Sequence, residues 1–321
     1  MYVCRINLPL LHSSTPGTRH TAFAYLQLLR PANIVTAIAD ILAGFAISGS
    51  VAEIFNTGNG WLFIPEWKSL LWLMLSAAGL YGGGVVFNDF FDAELDKAER
   101  PERPIPSGRA SRRGAGILGT VLLLIGIVSA FQVSFASVIL AASVACLALL
   151  YDVWGKHQSF FGPLNMGLCR GGNLLLGVSI AEPMLSQRWF IAVIPVIYIA
   201  AVTLVSRGEV HGKNNRSLQA AGSLYALTML LVAGLGLLPV FYLRSSLVFL
   251  LFFGMMIYAP LRKAQQSGLP QDIGKAVKFG VLGLILMDAA VAAGFLGWDY
   301  ALPVAALLPV SVILAKVFAV T

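Results

Sequence analysis

Tyr81-Gly82-Gly83-Gly84-Val85-Val86-Phe87-Asn88-Asp89-Phe90-Phe91-Asp92-Ala93-Glu94-Leu95-Asp96 begins apolar and glycine-rich and ends acidic. The change falls at the end of an apolar run that starts near residue 69 and has the length, about 20 residues, that a membrane-crossing helix needs. Four acids and an asparagine crowded at such a boundary are costly unless something compensates them. On a helix, Asn88, Asp92 and Asp96 recur every four residues as one stripe, with Asp89 three before Asp92. Carboxylate oxygens with few other protein ligands suit Mg²⁺, which completes its shell with water and substrate phosphates. A diphosphate is the natural third party. The plainer reading is a solvated acidic helix end followed by ordinary basic anchors.

Working outward, the 321 residues are 58% hydrophobic and only 12% charged, with a mean hydropathy of +0.80, which places the chain among membrane proteins. Ten apolar stretches follow one another, at about 31–51, 69–88, 115–132, 135–151, 163–182, 189–206, 218–239, 242–260, 275–297 and 301–320. This predicts an all-α, polytopic bundle of nine to ten transmembrane helices. The net charge of +7 comes from Lys and Arg in the loops between apolar runs, a membrane pattern that argues against nucleic-acid binding. The even loops carry the cations: Lys97, Arg100, Arg103, Arg109, Arg112 and Arg113, then Lys156, then Arg207, Lys213 and Arg216, then Arg262, Lys263, Lys275 and Lys278. The odd loops offer Lys68, Arg188 and Arg244. The even loops and both termini are therefore expected on the cytoplasmic side. Residues 1–20 hold too short an apolar stretch for a signal-peptide core and read as a cytoplasmic tail. Residues 21–321 read as a single transmembrane domain. Cys4, Cys146 and Cys169 are too scattered for a disulfide framework or a cysteine metal site.

Arg100-Pro101-Glu102-Arg103-Pro104-Ile105-Pro106-Ser107-Gly108-Arg109 follows the acids at once and sets fixed cations in a turn-rich loop beside them. Asn-Asp-x-x-Asp-x-x-x-Asp closing the second membrane helix, then Arg-Pro-Ile-Pro-Ser-Gly, resembles the first signature of the UbiA superfamily of membrane prenyltransferases. That resemblance implies a central cavity capped by loops 2–3, 4–5 and 6–7, and Mg²⁺ held against a prenyl diphosphate by Asn88, Asp92 and Asp96, with Asp89 beside them. Arg30-Pro31-Ala32-Asn33 resembles the family's opening, which implies that Asn33 helps line the cavity. Tyr151 and Lys156 resemble the family's Tyr and Lys of the second cap loop, where the lysine meets diphosphate. By its position alone, Lys156 reads equally as a snorkelling interface lysine.

After span six the resemblance weakens. The family's second Asp-x-x-x-Asp is here Ser206-Arg207-Gly208-Glu209-Val210, so Ser206 and Val210 stand at the aspartate positions. Either Glu209 supplies one carboxylate to metal, or Arg207, His211 and Lys213 neutralise the diphosphate in place of a second ion, and the second reading is favoured. The pattern is most like the EboC-type branch, with Asn165-Met166-Gly167-Leu168-Cys169-Arg170-Gly171 in span five. Arg170 needs a partner within the membrane, Asp40 or Asp288, and reads equally as a buried ion pair and as a substrate-pocket residue. Asn165 and Asn173 are expected to bond between helices, and Gly82, Gly83, Gly84, Gly171 and Gly172 to permit close packing.

The function expected is transfer of a prenyl group from its diphosphate to a lipophilic or aromatic acceptor in the bilayer. Asp92, Asp96 and Lys156 form its catalytic centre, Arg100, Arg103 and Arg207 bind substrate beside them, and Phe90, Phe91 and Tyr151 shield the cation. The alternative is a non-catalytic carrier of a prenylated lipid.

Overall fold

The computed structural model describes residues 18–50, 66–207 and 215–318. They form α1 (Thr18–Leu28), α2 (Pro31–Ser48), α3 (Trp67–Phe91), α4 (Ala93–Glu99), α5 (Arg112–Phe131), α6 (Phe135–Val153) and α7 (Phe161–Val178). The second half holds α8 (Glu182–Arg188), α9 (Val193–Ser206), α10 (Asn215–Gly234), α11 (Leu243–Ser267), α12 (Pro270–Leu296), α13 (Trp298–Ala305) and α14 (Leu307–Val317). Local chemistry sets several ends. Ser111 Oγ accepts from Gly114 N at 3.0 Å to open α5, and Ser134 Oγ accepts from Ser137 N at 3.1 Å to open α6. Pro31 and Pro270 sit in first turns, where a missing N–H costs nothing.

Among the described residues, nine helical segments are long and apolar enough to cross a membrane. The predicted fifth span is the exception: α7 is helical, but Asn165, Arg170 and Asn173 lower its hydropathy, and it lies inside the bundle. The tenth predicted span is two short helices, α13 and α14, meeting at Ala306. The long helices close a ring in the order α2, α3, α5, α6, α7, α9, α10, α11, α12 and back to α2, while α2 also packs directly on α7.

Small residues make that inner contact possible. A Cβ on Gly177 would lie 2.5 Å from Ile41 O and 2.9 Å from Gly44 Cα, so the two backbones touch where only hydrogen fits. Gly171 and Gly172 let α7 approach its other neighbours, since a Cβ there would meet Val196 Cγ2 of α9 at 2.8 Å and Val144 Cγ2 of α6 at 2.7 Å. Ile117, Leu124, Val128, Phe131 and Phe135 point outward, as lipid-facing positions of α5 and α6 must.

Candidate functional site: a charged collar over an apolar cavity

The cavity has a volume of about 260 Å³ and lies between α3, α6, α7, α9 and α12, with Arg30 at its mouth. Leu80, Val144, Ile199, Val202, Val281 and Leu284 give it apolar walls. Its polar lining falls in two sets: Arg30, Asn88, Tyr151 and Asp152 at the mouth, where they adjoin a charged collar, and Arg170 with Asn173 at the deep end.

At the collar, α3 ends at Phe91 and the chain re-enters a helix at Ala93, so motif one is carried over a bend rather than on one straight rod. Its four polar side chains take different partners. Arg103 Nη1 donates to Asp96 Oδ2 at 2.8 Å and to Asp89 Oδ1 at 3.3 Å. Arg30 Nη2 donates to the same Asp89 oxygen at 2.8 Å. Lys156, held in a 3₁₀ turn over Gly155–His157, donates to Asp92 Oδ1. Asn88 Nδ2 donates to Asp152 Oδ1 at 3.0 Å. Burial pushes the Asp96 carboxyl above the usual carboxylate range, and the Arg103 guanidinium draws it back. Glu94 lies outside this set, paired with Lys97 at the surface.

Among the described residues no group of three or more acids, histidines or cysteines already converges as a metal cage. The donor chemistry nonetheless fits Mg²⁺. The hydrogen bonds fall on one oxygen of each carboxylate, Asp89 Oδ1, Asp92 Oδ1 and Asp96 Oδ2. Hard oxygen donors held by exchangeable cations suit an ion that brings water and phosphate with it.

Arg30 occupies the left-handed region, φ 46° and ψ 66°, and is the non-glycine residue with positive φ among the described ones. Such a conformation is strained for a side chain immediately before proline. The turn aims its guanidinium at Asp89, so the strain is spent at the collar.

The structure brings Asn88, Asp89, Asp92, Asp96, Arg103 and Lys156 together and places Tyr151 on the cavity wall. Asn33 is buried in the first turn of α2, and the wall there is made by Arg30. Arg100, at the end of α4, joins no ion pair among the described residues. Arg207 donates to the carbonyl of Ser159, tying loop 6–7 to loop 4–5. Ser206 Oγ turns back to Thr203 O of its own helix at 2.9 Å. Glu209, Val210, His211 and Lys213 lie outside the described residues. Phe90 and Phe91 are not cavity rings: Phe90 packs under Arg112, whose Cζ is 4.8 Å from the ring centroid, and Phe91 is exposed. They sit on the outward side of the bend, and the aromatic walls are Tyr81 and Tyr151.

Asp152 is a site residue that sequence reasoning passed over. It is buried, lines the cavity and accepts from Asn88. Its signal was an acid in the last turn of an otherwise apolar span, directly after Tyr151.

At the deep end, Arg170 Nη1 donates to Asp40 Oδ2 at 2.7 Å, and a second nitrogen donates to Thr36 Oγ1. Asn173 Nδ2 donates to Asp40 Oδ2 and to Ala37 O, both at 2.9 Å. Of the two counter-ions considered for Arg170, Asp40 makes the direct pair and Asp288 stands behind it. Asn173 does bridge helices, α7 to α2. Asn165, with its amide turned to suit, meets Leu147 O and Tyr151 N of α6 at 3.1 Å.

A helical bundle with a charged collar over an apolar, lipid-compatible cavity defines a multi-pass membrane protein of the intramembrane-enzyme type. The model of the UbiA prenyltransferase family matches residues 61–269, and the chain belongs to that family. The digeranylgeranylglyceryl phosphate synthase of Ignicoccus hospitalis is 29% identical over 272 residues, 84% of this chain and 80% of that one. The enzyme of the same name from Methanothrix thermoacetophila is 33% identical over 159 residues, 49% of this chain and 55% of that one. The chain thus spans from about half to four fifths of these relatives. A UbiA homolog from Aeropyrum pernix K1 superposes with a TM-score of 0.64 at 15% identity over 80% of this chain and 96% of that one. A UbiA homolog from Archaeoglobus fulgidus, solved bound to GPP and Mg²⁺, gives a TM-score of 0.62 at 16% identity over 88% and 99%. At these identities the structural likeness establishes the fold.

Proposed function

We propose that this UbiA-family enzyme transfers a prenyl group from a prenyl diphosphate to an electron-rich acceptor within the bilayer. The observation that carries the reading is the collar: three cations, Arg30, Arg103 and Lys156, bound to the acids of motif one at the mouth of an apolar cavity. An anionic head at the collar and a prenyl tail among Leu80, Val202 and Leu284 match the two ends of one amphiphile.

Asn88, Asp92 and Asp96 would hold Mg²⁺, which when bound offsets negative charge on the diphosphate. Asp89 fixes Arg30 and Arg103 in place and is a further candidate ligand of the ion. Diphosphate oxygens compete with the carboxylates for Arg30, Arg103 and Lys156, so these cations stabilise the charge that develops as the allylic C–O bond ionises. Arg207 adds to this work in place of the second aspartate motif, and Glu209 is a further candidate oxygen donor. Tyr151 and Tyr81 present ring faces to the resulting cation, and the apolar walls exclude water that would quench it. Arg170 and Asn173 contact substrate from the far end. The EboC-type likeness belongs to this proposal, on the ground of Ser206 and Val210, as does a cytoplasmic setting for the collar. The prenylated-lipid synthases among its relatives make a lipophilic acceptor the leading class.

Purified protein with Mg²⁺ and radiolabelled geranyl, farnesyl or geranylgeranyl diphosphate tests the proposal. Diphosphate release that disappears in Asp92→Ala is expected. Release that is unchanged in Asp92→Ala would refute the assignment.

A further inference from the structure

Five polar side chains are buried together at the deep end of the cavity: Thr36, Asp40, Arg170, Asn173 and Asp288. Arg170 and Asn173 reach the cavity wall, while Asp40 and Asp288 stand behind them. The Arg170 guanidinium lies 5.0 Å from the Tyr81 ring centroid, which covers one of its faces.

The two carboxyls are within hydrogen-bonding reach of each other. Asp40 Oδ1 and Asp288 Oδ2 receive no donor from any other described group. Two carboxylates cannot bond to each other, since both offer only acceptors. One hydrogen between them satisfies both orphan oxygens at once, and burial away from water makes such satisfaction obligatory. The charge count closes in the same way. One guanidinium and two acids carrying one proton sum to zero, whereas two ionised acids would leave a bare negative charge in the middle of the bundle.

We infer that Asp40 and Asp288 share a single proton behind Arg170, so that the deep end of the cavity is electrically neutral and selects an acceptor presenting an uncharged hydroxyl or carbonyl rather than a carboxylate or phosphate. The inference rests on the prenyl-transfer reading and adds to it that the acceptor's polar group meets the cavity wall at Arg170 and Asn173, beside the prenyl tail. Arg170 keeps its hydrogen-bonding character at the wall, while Asp40 cancels the net charge that would draw an anion inward. Asp288 is a positioning residue in this arrangement: it holds Asp40, and Asp40 holds Arg170.

Binding of 2-naphthol and of 2-naphthoate to the purified full chain, by equilibrium dialysis at pH 7, tests the inference, because the two share a ring system and differ in charge. Wild type should bind 2-naphthol at least about tenfold more tightly, as expected when a buried anion finds no net countercharge. Asp288→Asn copies a protonated acid and should leave that ratio within about twofold of wild type. Asp40→Asn combined with Asp288→Asn leaves Arg170 uncompensated and should move the ratio by about tenfold or more toward 2-naphthoate. A tenfold move toward 2-naphthoate in Asp288→Asn alone would show that both acids were ionised and overturn the inference, whether or not the double variant folds. Equal binding of the two probes by wild type, or no binding of either, would also overturn it. Release of diphosphate from a prenyl diphosphate without acceptor reads the collar alone, and its persistence alongside such a result would show that the acceptor inference failed and the transferase reading did not.

Discussion

Replacing Arg103 with alanine strikes the collar where one side chain ties two acids. Arg103 is mostly buried, its side chain 14% exposed, and its Nη1 serves Asp96 at 2.8 Å and Asp89 at 3.3 Å. Truncation leaves Asp96 without its cation, while Asp89 keeps Arg30. Stranding a fully buried carboxylate costs about 3–5 kcal/mol. The collar is partly open to water and one of the two acids retains a partner, so the stability loss is expected nearer about 1–2 kcal/mol. The catalytic loss should be larger. Removing one preorganised donor from a developing anion costs about 2.7–4 kcal/mol, or about 10²–10³ in kcat. The assay is initial-rate release of labelled diphosphate, with thermal unfolding of the same preparation measured in parallel. Raised Mg²⁺ should recover part of the lost rate, because metal and guanidinium both offset the same charge. Arg103→Lys should remain well below wild type, since an ammonium lacks the guanidinium's planar fork of donors. A rate for Arg103→Ala within about threefold of wild type, in folded protein, would refute the reasoning.

Lys156→Ala should lower kcat/KM for the prenyl diphosphate by about 10²-fold with a smaller change in stability, read by the same release assay. Gly177→Ala should destabilise the bundle by about 1–3 kcal/mol, because its Cβ would stand 2.5 Å from Ile41 O and force α2 and α7 apart; the shift in unfolding midpoint in detergent measures it. Asp40→Ala should cost about 3–5 kcal/mol by removing the direct ion-pair partner of the buried Arg170 and leaving a hole beside it, while Asp40→Asn should cost less. Asp96 gives a pH signature. Its folded carboxyl is raised by burial, so its ionisation opposes folding, and that penalty is absent below the unfolded carboxylate range and grows as pH rises through the folded value. Without Mg²⁺, the stability of Asp96→Asn relative to wild type should therefore increase as the pH is raised from below the ordinary carboxylate range to above it, followed by thermal unfolding across pH.

Much of the fold was legible because membrane helices are written in long apolar runs, and the order α2 to α14 follows those runs closely. The span least like lipid was α7, whose Asn165, Arg170 and Asn173 face protein rather than hydrocarbon. Periodicity located those residues but not which helix they would meet. Motif one was legible in the same way, as an acidic stripe followed by arginines. Its actual pairings were not, since Arg30–Asp89 and Lys156–Asp92 join positions 59 and 64 residues apart. Phe90 and Phe91 lie in the last turn of α3, on faces turned away from the cavity that Asn88 lines, and their closeness in sequence to the acids did not reveal this. Asp152 escaped notice because a lone acid at a helix end is ordinary in sequence and becomes meaningful only beside Asn88.

The central claim is that motif one and its cations ionise a prenyl diphosphate. A single-turnover experiment tests it most directly: enzyme in excess over labelled geranylgeranyl diphosphate in lipid vesicles containing candidate quinol and glycerol-lipid acceptors, with and without Mg²⁺, the products resolved by mass. One diphosphate released per prenyl group consumed and a prenylated product in the lipid fraction are expected, and neither without Mg²⁺ or in Asp92→Ala. Stoichiometric binding of the diphosphate with no release, for every prenyl length tried, would contradict it and leave a carrier of prenyl lipids in its place.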